Sequence, residues 1–306
     1  MTLRKRLLIA FAIGIAGFAI CYVYQVQHGN SSGDIWVALC AGRALLAHQD
    51  SYAVCQSIHA DGVTPLTHYP LTTALLLLPL TPLPDALSAA ILLGLSSGLL
   101  AFGLAREAPW RLLVFLAFPY WDALRWVQWS PLLMAVALFP ALLPLTLVKP
   151  HIGASVALTR LTLRRALSCL LFAAVSLLID PTWPWRWIAQ TSHYTGFIPL
   201  LIVPGPLLLL ALLRWRDSDA RFLLLMAMAP QRVFYDQLLL WLLPRTARQM
   251  LTMVGLSWLA YLGAALWPAG SAALAIIFIY GGALALILRR TDALATIPHP
   301  ERIYHR

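Results

Sequence analysis

Of 306 residues, 60% are apolar and 11% are charged, and the formal charge of +10 comes largely from arginines set in short clusters between apolar runs. That pattern excludes a separate water-soluble domain and a basic nucleic-acid-binding face, because the positive charge is never gathered on one polar segment. It predicts an all-α polytopic transmembrane bundle: in hydrocarbon the backbone N–H and C=O groups must be satisfied within a helix, and the alternation of a membrane β-barrel is absent.

The first run, Leu7 to Tyr24, follows Arg4, Lys5 and Arg6 with no small-residue cleavage site behind it, which predicts an uncleaved first transmembrane helix. Residues 25–68 then form the longest polar segment, an outer loop. In it Gly33-Asp34 opens an amphipathic stretch, Ile35 to Ala47, followed by a turn-rich piece from His48 to Thr67. The plainest role for Asp34 is to cap that helix by accepting hydrogen bonds from its first turn. Cys40 and Cys55 share this loop and could oxidise there. Cys21 and Cys169 lie in or beside apolar helices, and the cysteines show no metal-ligand spacing.

From 69 to 288 the chain alternates long apolar runs (Ala86 to Ala105, Pro131 to Val148, Ala166 to Ile179, Ile198 to Leu213, Leu251 to Trp267, Ala272 to Leu288) with shorter ones. The short pieces are Pro70 to Leu80, Leu112 to Tyr120, His151 to Leu158, Phe222 to Ala229 and Val233 to Leu243. Together they predict about eight to twelve crossings, some short or broken. The clusters at Arg4 to Arg6, Arg160 to Arg165, Arg214 to Arg221, Arg245 with Arg248, and Arg289 with Arg290 are expected in the cytoplasm. This gives a single integral domain over 1–306, multi-pass in the inner (plasma) membrane, with both termini and the tail 289–306 inside.

Two further polar stretches are expected on the outer side with 25–68. Trp121 to Ser130 interleaves Asp122, Arg125 and Gln128 with tryptophans, and Asp180 to Phe197 carries Trp183, Trp185 and Trp187 and ends near His193 and Tyr194. Interfacial anchoring accounts for the rings, and the second stretch predicts a helix lying along the surface. Lys149 stands alone in an apolar stretch from Leu132 to Leu158. At the bilayer centre it would cost about 2.5–3.5 kcal/mol on insertion scales, so it calls for a cavity, a partner carboxylate or an interface unless it snorkels. Pro150 biases it away from helical geometry and predicts a break at Lys149-Pro150-His151. Whether Pro131 to Val148 is one crossing or a tight hairpin around Phe139 to Pro144 is open at this level. Phosphate-binding loops, dinucleotide glycine patterns, zinc helices and nucleophile elbows are missing.

The order Gly33-Asp34, Ala41-Gly42-Arg43-Ala44-Leu45-Leu46, Asp50-Ser51-Tyr52, Tyr69-Pro70-Leu71, Val127-Gln128 and Lys149-Pro150 resembles the glycosyltransferase C superfamily. Within it the chain is most similar to the bacterial polyprenol-phosphate-mannose-dependent α-mannosyltransferases. Those proteins have a second proline where Leu71 stands and a glycine where Val127 stands. The resemblance implies a polyprenyl-phosphate sugar donor, a glycolipid or glycan acceptor, and Asp34 as general base at the outer face. It places Lys149 and His151 against the lipid phosphate, with Arg43 and Arg125 as further phosphate candidates and Tyr69 and Gln128 in the substrate site. No cofactor is indicated, and a divalent-metal requirement is left open. The competing readings are a transporter or flippase of a lipid-linked or amphipathic solute and a non-catalytic membrane relative of the transferases. A transporter built from repeats would show corresponding motifs in residues 150–306, and none are found.

Overall fold

A computed structural model of the chain describes residues 1–55, 57–58, 65–66, 69–191 and 196–290. His193, Tyr194, part of the outer loop and the tail 291–306 lie outside the described residues. Among the described residues the fold is a helical bundle with one two-residue antiparallel strand pairing, Ser57 with Leu66 and Ile58 with Pro65.

The α-helices are α1 (Leu3–Gln27), α2 (Trp36–Leu46), α3 (Ser51–Val54), α4 (Leu71–Leu77), α5 (Asp85–Glu107), α6 (Phe118–Trp126) and α7 (Ser130–Leu138). They continue with α8 (Pro150–Arg160), α9 (Leu163–Ile179), α10 (Trp183–Thr191), α11 (Ser218–Met228), α12 (Ala247–Leu266), α13 (Ser271–Ala275) and α14 (Gly281–Leu288). Between them run long 3₁₀ segments: Pro109–Leu116, Pro140–Val148, Gly205–Arg214 and Tyr235–Leu242. Three of these segments begin at or next to a proline, which lacks the N–H an α-helix interior needs and clashes with the preceding turn. Their length, eight to ten residues, is unusual for this helix type.

Among the described residues, four helical spans are long and apolar enough to cross a membrane: α1, α5, α12 and the stretch Pro268–Leu288 that contains α13 and α14. A fifth is reached if α9 and α10 count as one bent span. Against the expected eight to twelve crossings, the remaining apolar sequence is therefore held in short α and 3₁₀ pieces rather than in continuous spans. The 97° bend at the α9–α10 junction turns the tryptophan-bearing α10 across the axis of α9.

Helices α1 and α5 pack closely through small residues. A Cβ on Gly14 would stand 3.1 Å from the Gly94 carbonyl oxygen, and one on Gly98 would stand 3.1 Å from that of Ala10. Such close approach lets dispersion contacts hold two helices together where lipid offers no hydrophobic drive. By contrast α9 leaves Leu163, Leu170, Leu171 and Leu178 largely exposed, a surface suited to lipid tails.

The segment 130–148 is a hairpin. Helix α7 stops at Phe139, whose φ −125° and ψ 77° break the helix just before Pro140. The following 3₁₀ segment packs against both α7 and α8. A straight helix over these residues would hold its ends about 28 Å apart. Instead Lys149 Nζ lies 3.0 Å from Gln128 Oε1. Threonines of α4 secure the returning strand of this hairpin: Thr72 Oγ1 donates to the Leu147 carbonyl and Thr73 Oγ1 to that of Val148, each at 2.7 Å.

Two ion-pair clusters tie separate segments of the bundle together. At one, Arg290 Nη1 meets Asp217 at 2.9 Å and Asp219 at 2.7 Å, while Arg245 reaches Asp219 at 3.2 Å, so three arginine-bearing loops converge. At the other, Arg186 of α10 bridges Asp50 and Asp180 and covers the Tyr52 ring at 5.0 Å, joining the segment around α2 and α3 to α10. There Cys40 and Cys55 form a disulfide. Closing a loop of this length contributes about 3 kcal/mol in the chain-entropy account, and such bonds persist in oxidising compartments. Unreduced, denatured protein should accept polyethylene-glycol maleimide at Cys21 and Cys169 alone, and at all four cysteines after reduction. Four additions before reduction would refute the bond.

Candidate functional site

Four breaks in regular structure meet at one place. The first is the single 3₁₀ turn Gly33–Ile35 between α1 and α2. Gly33 has φ +53°, and a Cβ there would lie 2.7 Å from the Trp126 carbonyl oxygen and 2.8 Å from Val127 Cγ2. Both the backbone and the space demand glycine. The expected capping role of Asp34 is not seen: neither this turn nor α2 has a side-chain cap, and the Asp34 carboxylate accepts a hydrogen bond from the Gln128 side-chain amide instead.

The second break follows α6. Val127 closes that helix in the left-handed region, φ +53° and ψ +61°, at a cost of about 1–2 kcal/mol for an L-residue. This turns Gln128, which is 1% exposed, away from the helix direction and toward Asp34 and Lys149. The third break is Lys149 itself, extended between the hairpin and α8 and 5% exposed. Its ammonium donates to Gln128 Oε1 at 3.0 Å and to Asp236 Oδ1 at 2.6 Å, and it lies 4.9 Å from the centre of the Tyr235 ring.

The fourth break is at Phe234, φ +72° and ψ −73°, where the Tyr235 N–H reaches back to the Val233 carbonyl at 3.2 Å in a γ-turn of the rarer hand. That turn delivers Asp236, which is fully buried. Its second oxygen accepts the Arg232 backbone N–H at 2.9 Å, and Gln237 Nε2 holds the same stretch by donating to the Arg232 carbonyl and to Gln231 Oε1. Sparsely populated backbone at Val127 and Phe234, each beside a residue of one polar chain, is the kind of strain that concentrates at functional sites.

The result is a continuous line, Asp34–Gln128–Lys149–Asp236, running from the closed interior to a carboxylate that solvent reaches. Although Asp34 has accessible surface, the protein packed around it removes much of its hydration. That desolvation raises its carboxyl above the usual carboxylate range. Lys149, the Gln128 hydrogen bond and Arg232 pull in the opposite direction, and Asp236 adds to the rise.

The structure brings Asp34, Gln128 and Lys149 together as one unit. His151 sits in the first turn of α8, within electrostatic reach of Lys149, Asp236 and Arg232. Tyr69 lies at the margin, edge-on to Trp129 with ring centres 6.3 Å apart. Two candidates are committed elsewhere. Arg43 donates to the Thr81 and Leu83 carbonyls and pairs with Asp85, fastening α2 to the start of α5. Arg125 donates to the Tyr24 hydroxyl at 2.8 Å and lies over Trp126 at 5.3 Å, at the tip of α1. Sequence reasoning passed over Asp236, Arg232 and Tyr235. The signal was available, since Asp236 is a lone carboxylate inside the apolar run 233–243, the same anomaly that marked Lys149 in its own run.

Among the described residues, no group of three or more His, Cys, Asp or Glu side chains could hold a metal ion. No family model, curated protein or solved structure matches the chain.

Replacing Gly33 with alanine should cost stability on two counts, the positive φ and the Trp126 contact. Gly29 provides the comparison, because it also has positive φ (+79°) but nothing within 4 Å of a Cβ. Gly29→Ala should lose about 1–2 kcal/mol and Gly33→Ala more, read as apparent unfolding temperatures in detergent. Equal losses would mean that the close approach to Trp126 is not restrictive.

Proposed function

We propose that the chain is a membrane glycosyltransferase that moves a sugar, taken as mannose, from a polyprenyl-phosphate donor to a glycolipid or glycan acceptor at the outer face of the inner (plasma) membrane. The observation that carries this reading is the Asp34 carboxylate: solvent-reached, released from capping, raised in basicity and fixed by the Gln128 amide. A base of that kind takes the acceptor hydroxyl's proton as its oxygen bonds to the anomeric carbon, while the bond from that carbon to the phosphate oxygen breaks and polyprenyl phosphate departs. The Cys40–Cys55 disulfide supports an oxidising surrounding for this end of the bundle. The arginine loops that meet at Asp217 and Asp219 support a cytoplasmic location for the opposite end, with both termini there.

The test is reconstitution of the protein in liposomes with radiolabelled polyprenyl-phosphate mannose and a crude acceptor extract. Label passing from lipid to acceptor supports the transferase. Donor that crosses the bilayer unchanged would support the flippase reading, and donor bound without turnover would support a non-catalytic relative.

A further inference from the structure

Lys149 is the residue that the resemblance sets against the donor phosphate, yet its ammonium is already held on two sides within the chain. Asp236 Oδ1 lies at 2.6 Å and Gln128 Oε1 at 3.0 Å, and the Tyr235 ring covers it at 4.9 Å. An ammonium can only donate, so the atom of Gln128 facing it must be the carbonyl oxygen. The planar amide then has its NH₂ on the far side, and an NH₂ can only donate. The group it meets, Asp34 Oδ2, is therefore held as an acceptor. A rotated Gln128 would set its carbonyl against that carboxylate with no proton between them.

We propose that Lys149, locked by Asp236, is a positioning residue that fixes the orientation of the Gln128 amide, and that Gln128 in turn holds Asp34 ionised with its other oxygen turned toward the acceptor. The proposal rests on the transferase reading for what Asp34 does, but not for the relay itself. Each link stands on a separate segment: Asp34 before α2, Gln128 after α6, Lys149 before α8 and Asp236 in the 3₁₀ segment Tyr235–Leu242. The strained residues Val127 and Phe234 stand just before two of these sites and aim the side chains beyond them. A direct ion pair between Lys149 and Asp34 would leave the carboxylate buried. Passing the charge through a neutral amide keeps the cation in the interior and the carboxylate at the solvent-reached end. The charged and titratable groups around Asp34 are Lys149 from the start of α8, Arg232, Tyr235 and Asp236 from the segment after α11, and Asp122 from α6.

Carbodiimides react with a carboxyl only in its protonated form, so the pH midpoint of labelling at Asp34, read by peptide mass spectrometry on full-length protein in detergent, tracks its ionisation without needing transferase activity. Gln128→Leu removes the amide, and Lys149→Met with Asp236→Asn removes the charge pair together so that no lone buried charge remains. Gln128→Leu should label at Asp34 to a midpoint about one pH unit higher than the parent, and the paired variant should move the same way by less, because loss of Asp236 offsets part of the loss of Lys149. Transfer, measured alongside, should fall in kcat more than it changes KM. Unchanged labelling midpoints in both proteins would overturn the relay. Shifted midpoints in the variants, with no sugar transfer by the parent, would uphold the relay and refute the transferase reading instead.

Discussion

Asp34→Asn should reduce sugar transfer by about 10²–10⁴-fold while leaving expression and folding intact. The substitution keeps the shape of the side chain and its location between α1 and α2, but removes the carboxylate to which the transferase reading gives the acceptor's proton. Folding should survive because Asp34 caps no helix, and Gln128, its side-chain partner among the described residues, retains its bond to Lys149. The parent protein's rate should be lost as pH falls through the raised ionisation of Asp34, so the acid limb of kcat/KM is expected above the range of an ordinary carboxylate. Transfer that persists undiminished in Asp34→Asn, or an acid limb in the usual carboxylate range, would remove Asp34 from the reaction. Loss of expression would instead assign Asp34 a structural role that its contacts do not suggest.

The second large effect concerns stability. Lys149→Met should destabilise the protein by about 3–5 kcal/mol, because it leaves the fully buried Asp236 carboxylate without its cation. Asp236→Asn should cost a comparable amount by stranding the ammonium. Combining the two should cost far less than their sum, since replacing both members of a buried pair is often close to neutral. Apparent unfolding temperatures of the four proteins in one detergent complete the cycle. Additive losses would show that Lys149 and Asp236 do not depend on each other, against their 2.6 Å contact.

How much the sequence revealed depended on range. Composition and run length carry the helical membrane fold, since the bilayer imposes one solution on every apolar stretch. The loop helix expected over Ile35 to Ala47 is present as α2, and the stretch after Asp180 holds a helix, α10. Asp34, Gln128 and Lys149 stood out individually, yet nothing local said that they touch: they lie 94 and 21 residues apart along the chain. Asp236 stayed hidden inside a run judged by its apolar neighbours. Arg43 and Arg125 drew attention as cations near motifs, while their actual partners, Asp85 and Tyr24, depend on how α5 and α1 pack. The capping expectation failed because the turn Gly33–Ile35 precedes α2 and makes Ile35 its N-cap, which places Asp34 within the turn.

The hairpin at Phe139 and Pro140 also bears on how orientation is counted. Sidedness in a multi-pass protein is a matter of parity, since every true crossing flips the compartment of the next loop. An apolar run that goes in and comes back contributes nothing to that count. Scoring Pro131 to Val148 as a span would put Lys149 across the apolar layer from Gln128, although its ammonium lies 3.0 Å from Gln128 Oε1. Scored as a return, the same residues leave Gln128 and Lys149 at one end of the hairpin, as their contact requires, and the run drops out of the count.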